Sequence, residues 1–150
     1  MRFLSRTPVR TFLLHPLITL VWEWIIHGGQ IEINPWFLPL MIWGYLQYRL
    51  CGGYGGKRGG GGPGPEVPPE RLVTTGLYAY TRNPMYLGHL IFLIGLTLTL
   101  RSWLGALITV AVAVWFDCRV RADERNLAEK LGQQYVEYTN IVKRWIPGLF

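Results

Sequence analysis

Residues Leu72–Gly88 read LVTTGLYAYTRNPMYLG, and the rest of the chain is organised around them. Gly76 supplies a residue that takes positive φ at a turn without steric cost. Asn83-Pro84 has the form of a helix start. Asn caps free backbone N–H groups, and Pro at the first helical position gives up an N–H that has no intrahelical partner there. The stretch that follows is apolar for the thickness of a membrane. A turn, three tyrosines (Tyr78, Tyr80 and Tyr86) and Arg82 thus gather where a buried helix begins. Such an N-terminus, with unpaired donors and the positive end of the helix dipole, suits an anion. A capped membrane helix with Tyr and Arg at the interface fits the same pattern.

Working outward, four apolar runs predict an all-α, polytopic membrane protein in one domain over residues 1–150. The expected transmembrane helices are about 9–27, 35–50, 84–100 and 103–120, followed by a C-terminal amphipathic helix over 122–140. Half the residues are hydrophobic, 14% are aromatic and 16% are charged, a balance apolar for a soluble domain. The basic start MRFLSR precedes a run too long for a signal-peptide core and without a small-residue cleavage site, so Val9–His27 reads as the first span. Pro16 predicts a kink in it. Glu23 lies inside it, and either lines a cavity or is solvated beside His27 at the far interface. Only Arg101-Ser102 separates the third and fourth helices, which makes them antiparallel neighbours and returns the end of the fourth to the side of Arg82.

The net charge is +6. These cations flank apolar segments and do not stripe one face, which points to lipid headgroups and away from nucleic acid. Of the 15 Lys and Arg, all but Arg101 fall on one side of the expected hairpins, so the positive-inside rule puts both termini and the motif loop 66–83 in the cytoplasm. The Gly-rich segment 51–65 reads as a flexible cytoplasmic linker. It lacks the order and strand context of a phosphate-cradling loop, although backbone in Gly61–Pro69 is bare enough to approach a cofactor. His15, His27 and His89 are scattered, and Cys51 and Cys118 stand in no metal spacing, so no metal is expected. His89 reads as a hydrogen-bonded packing residue or, alternatively, as a proton carrier within the membrane.

The end of the fourth helix carries the second chemical element. Asp117, Arg121 and Glu124 fall on one helical face. They are either a self-paired solvated helix end or part of a site, and Asp117 is still within the apolar span, where it needs a partner or a cavity. Beyond them Leu127, Leu131, Tyr135 and Tyr138 share a face. Lys143-Arg144-Trp145 has the composition of an interfacial anchor.

The run GLYAYTRNPMYLG resembles the signature of the isoprenylcysteine carboxyl methyltransferase and phospholipid methyltransferase superfamily, integral membrane enzymes that use S-adenosylmethionine. A second mark of that superfamily appears as Asp123-Glu124 with Leu127, Gly132, Tyr135, Tyr138 and Arg144-Trp-Ile-Pro147. The resemblance runs from about Pro63 to Pro147, and the first 50 residues match only as a pair of membrane helices. It implies that Leu72, Val73, Tyr78, Asn83, Pro84, Met85 and Tyr86 hold the cofactor. Asp123 and Glu124 join them, Glu124 on the cofactor's amino group. Arg82 is expected to hold the cofactor carboxylate or brace the loop, and Arg121 to hold the substrate or pair with Asp117. The implied reaction is methyl transfer to a carboxylate, amine or thiol of a lipophilic acceptor entering from the bilayer, with S-adenosylhomocysteine as product and a bacterial inner membrane as location. Two positions depart from the pattern: Leu77 stands where Pro is usual, and Asp123 where Glu is. Asn83 in place of His leans to the phospholipid side. Two other readings stay open, an NADPH-dependent enzyme of the sterol-reductase type and a non-catalytic membrane scaffold.

Overall fold

The computed structural model describes residues 7–60 and 70–146. Among them every regular element is a helix. These are α1 (Thr7–Ile26), α2 (Leu38–Gly59), α3 (Pro84–Leu100), α4 (Trp103–Leu131) and α5 (Gln133–Ile141), with 3-10 turns at Pro35–Phe37 and Gly76–Ala79. Two of them, α1 and α4, are long and apolar enough to cross a membrane; α3 is apolar but shorter. Where the sequence suggests a single domain, the chain forms two compact units, one of residues 1–46 and 88–114, the other of 47–87 and 115–150.

In the first unit α1 begins unevenly for a local reason. Pro16 has no N–H to give the Phe12 carbonyl, and the turn before it widens to a π-helix over Arg10–Leu14, with His15 N–H bonding Arg10 O. Phe92, Leu93, Leu96 and Leu100 form the core, packed on by Phe12, Leu20, Met41 and Val112. Helices α2 and α3 touch backbone to backbone at two glycines. A Cβ on Gly44 would stand 2.5 Å from Phe92 N, and one on Gly95 2.8 Å from Met41 N. Small residues permit two helix backbones to approach this closely. His89 is buried and stacks on Phe12 at 4.8 Å. Glu23 is not solvated as the second of its two readings had it. It is 3% exposed and lies 3.1 Å from His27 Nε2, because α1 turns that face inward. Leu17, Val21, Ile25, Ile42 and Val110 are exposed around this unit, an apolar surface suited to lipid.

The second unit corrects two expectations. Residues 51–59 are not a linker: α2 continues through them to Gly59. Each glycine weakens a helix by about 1 kcal/mol relative to alanine, but here the bare backbone lets the loop 70–79 lie against it. A Cβ on Gly55 would meet the Tyr78 hydroxyl at 2.9 Å. Tyr54 Oη bonds Thr75 Oγ1 at 2.7 Å, Arg58 lies over the Tyr54 ring, and Gly59 O accepts from Glu70 N and Arg71 N. Residues 61–65 of the expected linker, and Gly61–Pro69 as a whole, lie outside the described residues, as do residues 1–6. Nor does one amphipathic helix cover 122–140. Residues 122–131 are the end of α4, and Gly132, at φ 57° and ψ −135°, turns the chain into α5. The expected apolar face forms all the same. Tyr135, Tyr138 and Val142 are buried together, with Leu72, Leu127, Ala128 and Leu131 against them.

Candidate active site

The second unit brings its chemistry together by folding the chain's end back on the Leu72–Gly88 stretch. Gly76 takes φ +66°, as the turn requires. Tyr138 Oη donates to Tyr78 O at 2.6 Å, which fixes the loop on α5. Arg82 N–H donates to Lys143 O at 3.0 Å. Thr81 Oγ1 and Asn83 Nδ2 both donate to Arg144 O, at 3.0 and 3.3 Å. The Asn83 side chain is therefore turned to the returning segment and not to the helix N–H groups it was expected to cap. Pro84 opens α3 as expected, and its carbonyl accepts from the buried Gln47 Nε2 at 2.8 Å.

This docking delivers two arginines to one carboxylate. Arg144 Nε and Nη2 donate to Glu124 Oε2 at 3.0 and 2.7 Å, and Arg82 Nε lies 3.2 Å from Glu124 Oε1. The last contact is an ion pair without a hydrogen bond. The Arg82 N–H is not aimed along the line between the atoms, so Arg82 Nε and Glu124 Oε1 are both buried with no hydrogen-bond partner. Arg144 thus does not serve as an interfacial anchor. Its guanidinium also reaches Asp117 Oδ1 at 3.9 Å, and Trp145 Nε1 donates to the same oxygen at 3.1 Å. Only Lys143 of that trio is exposed. The hydrogen bonds to Glu124 raise the Arg144 pKa further. Burial raises those of Tyr78 and Tyr135, and pushes Tyr138 up to about 12.

The expected site residues divide into groups. Arg82 and Glu124 meet directly. Asp123, one residue from Glu124 and so about 100° around the helix, faces elsewhere. It accepts from Tyr86 Oη at 3.1 Å, and Arg119 Nε donates to that same hydroxyl at 3.2 Å. Arg121 is exposed and paired with Asp117 at 2.7 Å, the second of its two expected roles. Leu72 packs its side chain into the Tyr135–Tyr138 cluster, Val73 is half-buried beside it in the chain, and Met85 lies near Gly52. Sequence reasoning missed Arg119 and Gln47 altogether, and misread Arg144 although it stands within the second family mark.

The chemistry of this donor set fits an amino-acid moiety. A buried carboxylate oxygen with an open acceptor position suits an ammonium group, and two guanidiniums nearby suit a carboxylate.

Comparison with known proteins agrees. The phospholipid methyltransferase family matches residues 62–134. The protein-S-isoprenylcysteine O-methyltransferase of Saccharomyces cerevisiae is 40% identical over 78 residues, 51% of this chain and 32% of that protein. Protein-S-isoprenylcysteine O-methyltransferase B of Arabidopsis thaliana is 39% identical over 80 residues, 52% of this chain and 40% of the relative. The Homo sapiens protein-S-isoprenylcysteine O-methyltransferase is 33% identical over 78 residues, 51% of this chain and 27% of the relative. The matched stretch thus spans between about a quarter and two-fifths of these relatives' length. With Asn83-Pro84-Met85-Tyr86 at the head of α3 and Glu124 held by Arg82 and Arg144, residues 62–134 match the phospholipid methyltransferase family, and a stretch of similar length resembles the protein-S-isoprenylcysteine O-methyltransferases.

Proposed function

We propose that the protein transfers a methyl group from S-adenosylmethionine to a lipophilic acceptor at the cytoplasmic face of a membrane. The observation that carries this reading is the buried Glu124 carboxylate, reached by Arg82 from the head of α3 and by Arg144 from the returning C-terminal segment, with Oε1 left open. Glu124 Oε1 receives the cofactor's ammonium. Arg82, whose Nε is likewise open, faces the cofactor carboxylate. The Pro84–Tyr86 corner holds the adenosyl side, fixed by Gln47 on the Pro84 carbonyl and by Asp123 and Arg119 on the Tyr86 hydroxyl. Leu72 and Val73 lie along the same loop.

When bound, the sulfonium supplies an activated methyl, so that no covalent enzyme intermediate is needed. The chain's own residues position the reactants, exclude water and keep the charges paired. The acceptor class follows the relatives, whose names specify an S-isoprenylcysteine and transfer to oxygen. The exposed apolar residues of α1, α2 and α4 support entry of a lipophilic acceptor from the bilayer. They also support four spans, with α2 and α3 completing the two helices long enough alone. The distribution of Lys and Arg supports cytoplasmic termini.

Calorimetric titration of the detergent-purified protein with S-adenosylhomocysteine and, separately, with NADPH tests the proposal. Binding of S-adenosylhomocysteine that Glu124→Gln weakens by at least about tenfold supports it. Binding of NADPH alone assigns the chain to reductase chemistry, and binding of neither by folded protein leaves a scaffold.

A further inference from the structure

The first unit carries a cationic cavity at the turn between α3 and α4. The turn closes as a Schellman motif: Ser102 N–H bonds Thr97 O at 3.1 Å, which places Arg101 at the position just past the helix, where glycine is usual. Arg101 adopts φ 49°, and no other non-glycine residue among those described has positive φ. Ser102 Oγ then caps α4 by accepting from Gly105 N at 3.0 Å. Arg101 borders a cavity of about 440 Å³ whose walls include Asn34, Phe37, Thr97, Leu98 and Trp103. Its side chain is 69% exposed, and the carboxylate of Glu32, whose side chain is 87% exposed, is 4.0 Å from its guanidinium. A pair so open to solvent is weak and leaves the guanidinium available to a second anion.

An apolar track leads away from this mouth. Trp103, Leu107, Val110 and Val114 follow one another at helical spacing on α4 and are all more than half exposed. From Trp103 to Val114 the stripe runs for roughly 16 Å along the helix axis. Trp36, next in the chain to the lining residue Phe37, is 86% exposed, in keeping with an interfacial aromatic. A fixed cation, a headgroup-sized hollow and an apolar stripe leading from it have the chemistry of one amphiphile.

We propose that this cavity binds the phosphodiester headgroup of a membrane phospholipid, with Arg101 on the phosphate and an acyl chain along Trp103–Val114. The site rests on the membrane-spanning reading given above and lies in the unit that does not contain Glu124. The strained φ explains itself in these terms. Glycine at position 101 is easier for the backbone, but only a long cationic side chain there reaches an anion at the mouth.

Arg101→Gly separates the fold from the ligand, because glycine accepts φ 49°. Thermal unfolding of the full chain in detergent is followed with added dioleoylphosphatidylglycerol, with dioleoylglycerol of the same chains, and with inorganic phosphate. The phospholipid should raise the wild-type midpoint by roughly 5 °C near saturation. Arg101→Gly should unfold at the same or a higher temperature without lipid and lose most of the shift, and Arg101→Lys should keep part of it. Dioleoylglycerol and phosphate alone should each do little. The proposal is overturned if the phospholipid does not shift the wild type, or if Arg101→Gly keeps the full shift. It is equally overturned if dioleoylglycerol matches the phospholipid, which leaves an apolar track only, or if inorganic phosphate does, which leaves a site for a soluble anion. Flotation of the wild type with liposomes tests the membrane reading by itself. A protein that floats while Arg101→Gly retains its lipid shift refutes this site alone.

Discussion

Arg144 Nη2 stands 2.7 Å from Glu124 Oε2 although twenty residues separate them in the chain. The contact exists because Gly132 ends α4 and turns the chain into α5, and the segment 143–145 docks on Thr81–Asn83. Arg144 is therefore predicted to organise the site as well as to neutralise it. Arg144→Ala leaves Glu124 facing Arg82 alone in a poorly aligned pair, and should destabilise the protein by about 2 kcal/mol. Arg144→Lys should recover part of this, because an ammonium cannot reproduce the two N–H bonds a guanidinium gives one oxygen. Midpoints of thermal unfolding of both variants give the order. Equal stability of wild type and Arg144→Ala would remove the organising role.

The two neighbouring carboxylates should behave differently. Glu124→Gln keeps the shape but removes the charge that an ammonium requires, and should weaken S-adenosylhomocysteine by at least about tenfold, or 1.4 kcal/mol. Asp123→Asn acts through Tyr86, and its effect on affinity should be smaller. Tyr86→Phe and Asp123→Asn should couple, since the first removes the donor of one 3.1 Å bond and the second weakens its acceptor by removing the charge, with a double-mutant interaction of about 1 kcal/mol. Calorimetry on the wild type, the three single variants and the Tyr86→Phe/Asp123→Asn double variant measures both quantities. An Asp123→Asn loss as large as that of Glu124→Gln would place both carboxylates on the cofactor.

Gly44 and Gly132 make a contrasting pair. A Cβ on Gly44 has Phe92 N at 2.5 Å and Gly88 O at 2.6 Å, so Gly44→Ala must push α2 and α3 apart, at a cost of about 2 kcal/mol or more. Nothing lies within 4 Å of a Cβ on Gly132. Gly132→Ala acts through its backbone alone, at φ 57° and ψ −135°, with a penalty of about 1–3 kcal/mol. The variants should differ in kind: Gly44→Ala loosens the first unit and leaves S-adenosylhomocysteine affinity nearly unchanged, whereas Gly132→Ala disturbs the return of Arg144 and weakens binding.

The parts of the structure legible in sequence are those dictated locally. The apolar runs located α1, α3 and α4, the two-residue turn at Arg101-Ser102 is where it was expected, and Asn83-Pro84 marked the start of α3. Glu124 was named only because the second motif resembles a known family. Its partner Arg144 was read as an anchor because composition describes a segment's solvent preference and not the distant residue it meets. The glycines of 51–59 misled for a related reason. Helix propensity speaks for an isolated segment, and here packing against Tyr78 and Thr75 overrides it. Glu23 shows the same limit: periodicity located it in α1, but only the fold shows that this face is turned inward.

Three tyrosines around the site give a prediction in pH. Burial comes first among the causes that raise the pKa values of Tyr78, Tyr135 and Tyr138, the last to about 12 from 10. The folded protein then holds these protons more tightly than the unfolded chain, so in the alkaline range it binds more protons than the unfolded state and stability falls with pH. The contribution is fully present below pH 10 and disappears as pH rises through the folded values, from about 10 to 12 and above. Tyr138 illustrates the cause: its hydroxyl donates to Tyr78 O at 2.6 Å, a bond that the phenolate cannot make. The unfolding midpoint should therefore hold below pH 10 and drop steeply above it. Tyr138→Phe should start lower, having lost that bond, and show a shallower alkaline decline. If its decline is as steep as that of the wild type, the Tyr138 proton contributes nothing to the fall.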